Sequence, residues 1–147
     1  MLKNILVATD ASPASNRAIN LAADLAGKYG ATLHLLYAIR EMQLPPELKK
    51  MAEVEKIAGA RSDVLDFVGK KILDDAQSRA AKKGATKIKS TLERGDPATV
   101  IMRYGKRRKV DLIVLGTRGL GQVKGMLMGS VSRKVTNLSD ISCLIIR

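Results

Sequence analysis

The chain has 147 residues, of which 46% are apolar and 27% charged, and it carries a formal net charge of +12. That length suits one domain, 1–147, whose core needs neither a disulfide framework nor a structural metal, and the balance of apolar to charged residues excludes a disordered chain. No run approaches the roughly 18 apolar residues of a membrane-spanning helix, and a charge so positive allows phosphate-rich partners, nucleic acid or an anionic membrane surface.

Along the chain, strand and helix patterns alternate. LKNILVA (2–8) reads as the first strand. A helical stripe of Ala18, Leu21, Ala22, Leu25 and Ala26 follows, with Ser12 or Ser15 to cap its start and Gly30 to end it. ATLHLLYAI (31–39) is a second strand, and Pro45-Pro46 interrupts the regular pattern after it. The periodicity then predicts one long helix from about Glu47 to Lys83, with Gly59 or Gly69 as places where it bends or breaks, and Gly84 as its end. TKIKSTLERG alternates and gives the third strand, 86–93. Asp96 and Pro97 open a further helix as cap and first-turn residue. VDLIVLG (110–116) is the fourth strand, SVSRKVTNLS the last helix and ISCLIIR the fifth strand.

Nearly continuous apolar strands joined by helices mean an α/β fold, a parallel sheet with helices on both faces. Right-handed crossovers make 3-2-1-4-5 a common order for five strands, and the winding then reverses between strands 1 and 4. Ligands bind at such a reversal, beyond the carboxyl ends of the strands, which here are Ala8-Thr9-Asp10 and the stretch from Gly116. GTRGLGQVKGMLMGS (116–130), with five glycines between the fourth strand and the last helix, falls on that position. Glycines let backbone amides approach a phosphate, and a helix start adds free N–H groups and the positive end of its dipole. Ser130 and Ser132 would add hydroxyl donors, and Arg118 and Lys124 positive charge. Neither the G-x-x-x-x-G-K-[ST] loop nor a G-x-G-x-x-G after the first strand is present, which argues against classical NTPases and dinucleotide dehydrogenases.

Gly116-x-x-Gly119, nine residues, then Gly129-Ser130 resembles the G-2x-G-9x-G-[ST] signature of the ATP-binding universal stress proteins. NILVATDAS, ERGDPATVI and VDLIVLGTRG resemble other segments of the same family, so the likeness covers the whole chain. The resemblance implies a Rossmann-like sheet of the adenine nucleotide alpha hydrolase type. It implies ATP as ligand, with Mg²⁺ as a companion ion. Ala8, Thr9 and Asp10 would lie against the adenosine, and Ala38 would offer backbone polar groups to adenine. Gly116 and Gly119 would pass under ribose and phosphates, while Gly129, Ser130 and the Val131 amide would hold phosphate oxygens. Gly121 and Gly125 are extra glycines inside the nine-residue spacer, and they leave the signature intact. Family members commonly pair through the last strand, which implies a homodimer here.

The remaining chemistry-bearing residues read plainly. Asp10 serves as a site carboxylate, a Mg²⁺ ligand or a helix cap. His34, the only histidine, is a core or interface residue, so no Ser-His-Asp arrangement exists within one chain. Cys143 lies in an apolar run and reads as a structural thiol. GKRRK (105–109), Lys28 and Lys82-Lys83 close helices, where cations complement the dipole. They should gather at the sheet edge opposite the crevice and face an acidic partner, whereas Arg40, Arg94 and Arg118 follow strands and belong to the ligand edge. No general base stands in the glycine loop, so no catalytic residue is assigned and any ATP hydrolysis should be slow. The lone cysteine and the absence of a signal-peptide pattern in MLKNILVATD suit a cytoplasmic protein. A nucleic-acid-binding protein is the rival reading, motivated by the charge and opposed by the few aromatics. An adenylating ligase would need a second substrate pocket.

Overall fold

Parallel strands buried on both faces are built from apolar runs, and the sheet follows that rule at its centre and departs from it at one edge. The computed structural model describes residues 1–40, 44–117 and 128–147. Its five strands, all parallel, are β1 (Asn4–Ala8), β2 (Thr32–Ile39), β3 (Lys87–Arg94), β4 (Leu112–Gly116) and β5 (Ser142–Ile146). They lie in the order β3-β2-β1-β4-β5, as the alternation of elements predicts. Ala8 pairs with Leu36, and Val7 pairs with Val114, so β1 sits between β2 and β4 and ends before either.

Side-chain alternation splits the core into two layers. Ile5, Val7, Leu33, Leu35 and Val114 pack under α1 (Pro13–Tyr29) and α3 (Ala52–Lys82). Leu6, Leu36, Ile113 and Leu115 pack on the opposite face under α4 (Pro97–Arg107) and α5 (Ser130–Leu138). Among the described residues, no helix is long and apolar enough to cross a membrane.

Helix boundaries follow local chemistry. Ser12 caps α1, its hydroxyl oxygen accepting the Ser15 N–H at 3.1 Å, and Gly30 closes it in the left-handed region at φ 64°. Asp96 caps α4 and Pro97 fills its first turn. The single helix expected from Glu47 to Lys83 is instead two: α2 (Pro46–Lys49) and the 31-residue α3. Neither Gly59 nor Gly69 interrupts α3; the break falls at Met51, whose backbone is extended (φ −84°, ψ 123°). Gly69 lies within the helix because a Cβ there would meet Leu92 and Tyr37, so its smallness serves helix–sheet contact and not bending.

Candidate functional site

Three chain segments flank the point where the winding reverses between β1 and β4, the candidate crevice. At the first, β1 runs out at Ala8, and Thr9 extends its pairing by donating its N–H to the Leu36 carbonyl at 2.9 Å. The Thr9 hydroxyl oxygen accepts the Ala11 N–H at 3.1 Å and lies 3.2 Å from the Ser15 hydroxyl. The Asp10 carboxylate accepts the Ser12 N–H at 2.9 Å. These bonds hold Ala11 at φ 64°, in the left-handed region that a Cβ disfavours by about 1 kcal/mol. The turn is therefore over-determined by its hydroxyl and carboxylate neighbours, and it leaves Asp10 half-buried at the lip of the crevice.

The second segment is the end of β2. Peptide groups alternate in direction along a strand. The Leu36 carbonyl points to β1, where Thr9 meets it, and the Ile39 carbonyl points to β3, where it accepts the Gly95 N–H at 2.9 Å. The N–H and C=O of Ala38 therefore point to the β1 side, two residues beyond the last β1 pairing at Leu36. The Ala38 side chain, by contrast, is turned into the α4/α5 layer of the core.

The third segment joins β4 to α5. A Cβ on Gly116 would stand 2.8 Å from Ala14 Cβ and 2.9 Å from the Ser15 nitrogen, so this glycine is required by the first turn of α1, which crosses β4 here. Thr117 donates its N–H to the Ile146 carbonyl at 2.7 Å and accepts the Gly129 N–H. Ser132 is buried, and its hydroxyl donates to the carbonyls of Gly116 and Thr117, both at 3.2 Å. Its side chain thus ties α5 to the tip of β4. The N-cap position of α5 is Gly129, which makes no side-chain cap, while Ser130 is exposed and Val131 half-buried. Arg118 and Gly119, with Lys124, Gly121 and Gly125, lie outside the described residues.

Cations at this edge are distributed differently from the expectation. Arg94 turns away to α3, where its guanidinium donates to the Ser62 hydroxyl at 2.7 Å and pairs with Asp66. It anchors the first half of α3 to the end of β3. Lys134 on α5 reaches Asp96 at 3.3 Å and so links the middle of α5 to the start of α4. Hydrogen bonds from the Thr99 amide and hydroxyl, with Lys134 beside them, hold the Asp96 carboxyl below its usual range. Arg40 is exposed just beyond β2.

Elsewhere, His34 is a core residue: its Nδ1 accepts from the Tyr104 hydroxyl at 2.9 Å, and its Nε2 donates to Asn4 Oδ1 at 3.0 Å. Cys143 is half-buried, its thiol donates to the Ile141 carbonyl at 3.3 Å, and burial raises its pKa, which makes it a poor nucleophile. Among the described residues, no group of three or more His, Cys, Asp or Glu side chains could hold a metal ion. The sequence pattern did not anticipate the left-handed Ala11, which rests on local hydrogen bonds to Thr9 and Asp10, or the pairing of Arg94 with α3, which joins segments 28 residues apart.

The description "Universal stress protein family" belongs to the family model that matches residues 1–147. The chain belongs to the universal stress protein family. It is 37% identical over the full length of both chains to universal stress protein YxiE of Bacillus subtilis. Among solved structures, it resembles the universal stress protein UspA from Lactobacillus plantarum, with a TM-score of 0.87 and 25% identity, covering 99% of this chain and 98% of that one. It also resembles a universal stress protein solved in complex with cAMP, with a TM-score of 0.74 and 27% identity over 99% of this chain and 97% of the other.

Proposed function

We propose that this universal stress protein binds an adenine nucleotide, ATP, between the tips of β1, β2 and β4, and serves as a nucleotide-dependent stress-response module. The observation that carries the reading is a convergence of backbone. The peptide groups of Ala38 point past the end of β1, and α5 begins across the crevice at a glycine without a side-chain cap. The first suits the edge of a base, which needs one donor and one acceptor. The second suits an anion, which takes helix-start N–H groups and the positive end of the dipole. A relative of the same fold holds cAMP, which combines both features.

In this reading Ala8, Thr9 and Asp10 lie along the adenosine, and Gly129, Ser130 and the amide of Val131 take phosphate oxygens. Arg118 and Gly119 close the cradle from the glycine loop. Gly116 and Ser132 act mainly by shaping it, since α1 packing and the two carbonyls already account for them. Asp10 is the carboxylate beside the site, which fits Mg²⁺ carried in by the phosphates, and no group of three or more metal-ligating side chains exists among the described residues. Hydrolysis is slow, because the assigned groups bind and orient without supplying a general base. The protein works in the cytoplasm as a homodimer paired through β5, an edge strand whose Leu144, Ile145 and Ile146 are only half-buried.

The direct test is mass spectrometry of small molecules released when the purified protein is denatured, with titration of ATP, AMP and cAMP into nucleotide-free protein. ATP should be recovered and bind most tightly. Recovery of no nucleotide, together with no heat of binding for any of the three, would overturn the reading.

A further inference from the structure

β3 is the one strand whose sequence alternates, and the structure shows why. Its Ser90, Leu92 and Arg94 meet α3, through Gln77, Gly69 and the Ser62–Asp66 turn respectively. Its other face carries Lys89, Thr91 and Glu93 toward α4, which lies over the neighbouring strands and leaves β3 as a ledge beside it. The flank of α4 above that ledge is cationic. Arg103 and Arg107 both pair with Glu93, and the guanidiniums of Arg107 and Arg108 stand 5.2 and 5.7 Å from the ring centre of Tyr104. Lys89 and Arg108 are close enough to depress the pKa of His34 beneath them. Four cations against one carboxylate leave this surface a net charge of +3.

We infer that this ledge docks the phosphate backbone of double-stranded nucleic acid, without reading its bases. The whole chain's charge of +12 would steer a polyanion to the protein, and the ledge is where guanidiniums are fixed in place to receive it. A protein partner would need apolar anchors, because interfaces between proteins are centred on buried aromatic and aliphatic groups. None of the large exposed hydrophobic residues among the described residues belongs to β3 or α4. Interfaces with duplexes are instead polar and strongly positive. Single strands are disfavoured because the ring of Tyr104 is fully buried and offers no stacking platform. Base reading is absent because α4 is packed into the core through Ala98, Val100, Ile101 and Tyr104, so it cannot lie in a major groove as a free helix would.

The test is fluorescence anisotropy with a short mixed-sequence DNA duplex across a salt series. With about three phosphates neutralised, affinity should fall about 40-fold between about 50 and 200 mM salt. Lys89→Glu with Arg108→Glu should abolish binding, while Lys70→Glu with Lys71→Glu, an equal charge change on α3, should leave most of it. Glu93→Gln removes the one carboxylate and should tighten binding, steepening the fall to about 150-fold over the same range. Saturating ATP should not compete, which separates this surface from the nucleotide crevice. Equal losses in the two charge-reversed variants, competition by ATP, no response to Glu93→Gln, or retention on anionic vesicles without retention on the duplex would each overturn the inference.

Discussion

The phenol of Tyr104, at the heart of α4, donates to Nδ1 of His34 in β2 across 2.9 Å, and the Thr91 hydroxyl lies 3.2 Å from the same phenolic oxygen. With Asn4 on Nε2, this makes a buried polar chain across three strands and one helix. Every member has a partner, which is the condition for such a network to stabilise a fold. The imidazole stays neutral: burial, and then the nearby charges of Lys89 and Arg108, lower its pKa from 6.5 to about 4.

That shift makes stability depend on pH with a definite sign. Above pH 6.5 His34 is neutral in both folded and unfolded chains and contributes no slope. As pH falls from 6.5 toward about 4, the unfolded chain takes up a proton that the native state refuses, so stability drops, by up to about 3 kcal/mol. Glu93, Asp96 and Asp111 have depressed folded values, so their contributions are intact at neutral pH and are lost mainly below the window in which His34 acts, as pH falls through the ordinary carboxylate range. Urea denaturation at pH 7 and pH 5 should show the loss in the native protein and a much smaller one in His34→Gln. An unchanged slope in that variant would place the titrating group elsewhere. At pH 7, Tyr104→Phe should cost about 1–3 kcal/mol by leaving Nδ1 without a donor.

Gly129→Val tests the start of α5. Gly129 has φ −71° and ψ 166°, extended values that any residue adopts, so the helix should still form. A branched side chain at the place proposed for the phosphates should weaken ATP binding by about tenfold or more, about 1.4 kcal/mol. Calorimetric titration with ATP, beside an unaltered thermal melt, would show it; native affinity in the variant would move the phosphates elsewhere.

Neutralising Lys106, Arg107, Arg108 and Lys109 should leave ATP affinity within about threefold, since α4 runs from Asp96 near the crevice to these residues at the far edge of the sheet. The same variant should lose the duplex binding inferred above. A tenfold loss of ATP affinity would show that this basic segment belongs to the nucleotide site after all.

Two helical glycines should answer the same substitution with opposite signs. Gly59 has no atom within 4 Å of an added Cβ, so Gly59→Ala should stabilise α3 by about 0.5–1 kcal/mol. A Cβ on Gly27 would stand 2.6 Å from the Gly84 carbonyl oxygen, backbone that cannot swing aside, so Gly27→Ala should cost about 1–3 kcal/mol. Chemical denaturation of both variants checks the pair.

The strand order, the caps at Ser12 and Asp96 and the reversal of winding between β1 and β4 were all legible in the sequence, because each rests on local pattern or on the handedness of crossovers. The alternation of TKIKSTLERG was also a true signal, of an edge strand with no residue fully buried, whose second face α4 covers only in part. Other features came from tertiary contact alone. The long helix broke at Met51 and not at its glycines, and Arg94 spent its charge on Asp66 instead of the ligand edge. Gly116 proved necessary to α1, and Ser132 turned its hydroxyl to two carbonyls. Periodicity tells which face of an element meets the core, but which atom a side chain finally meets depends on segments far along the chain, and only packing brings those together.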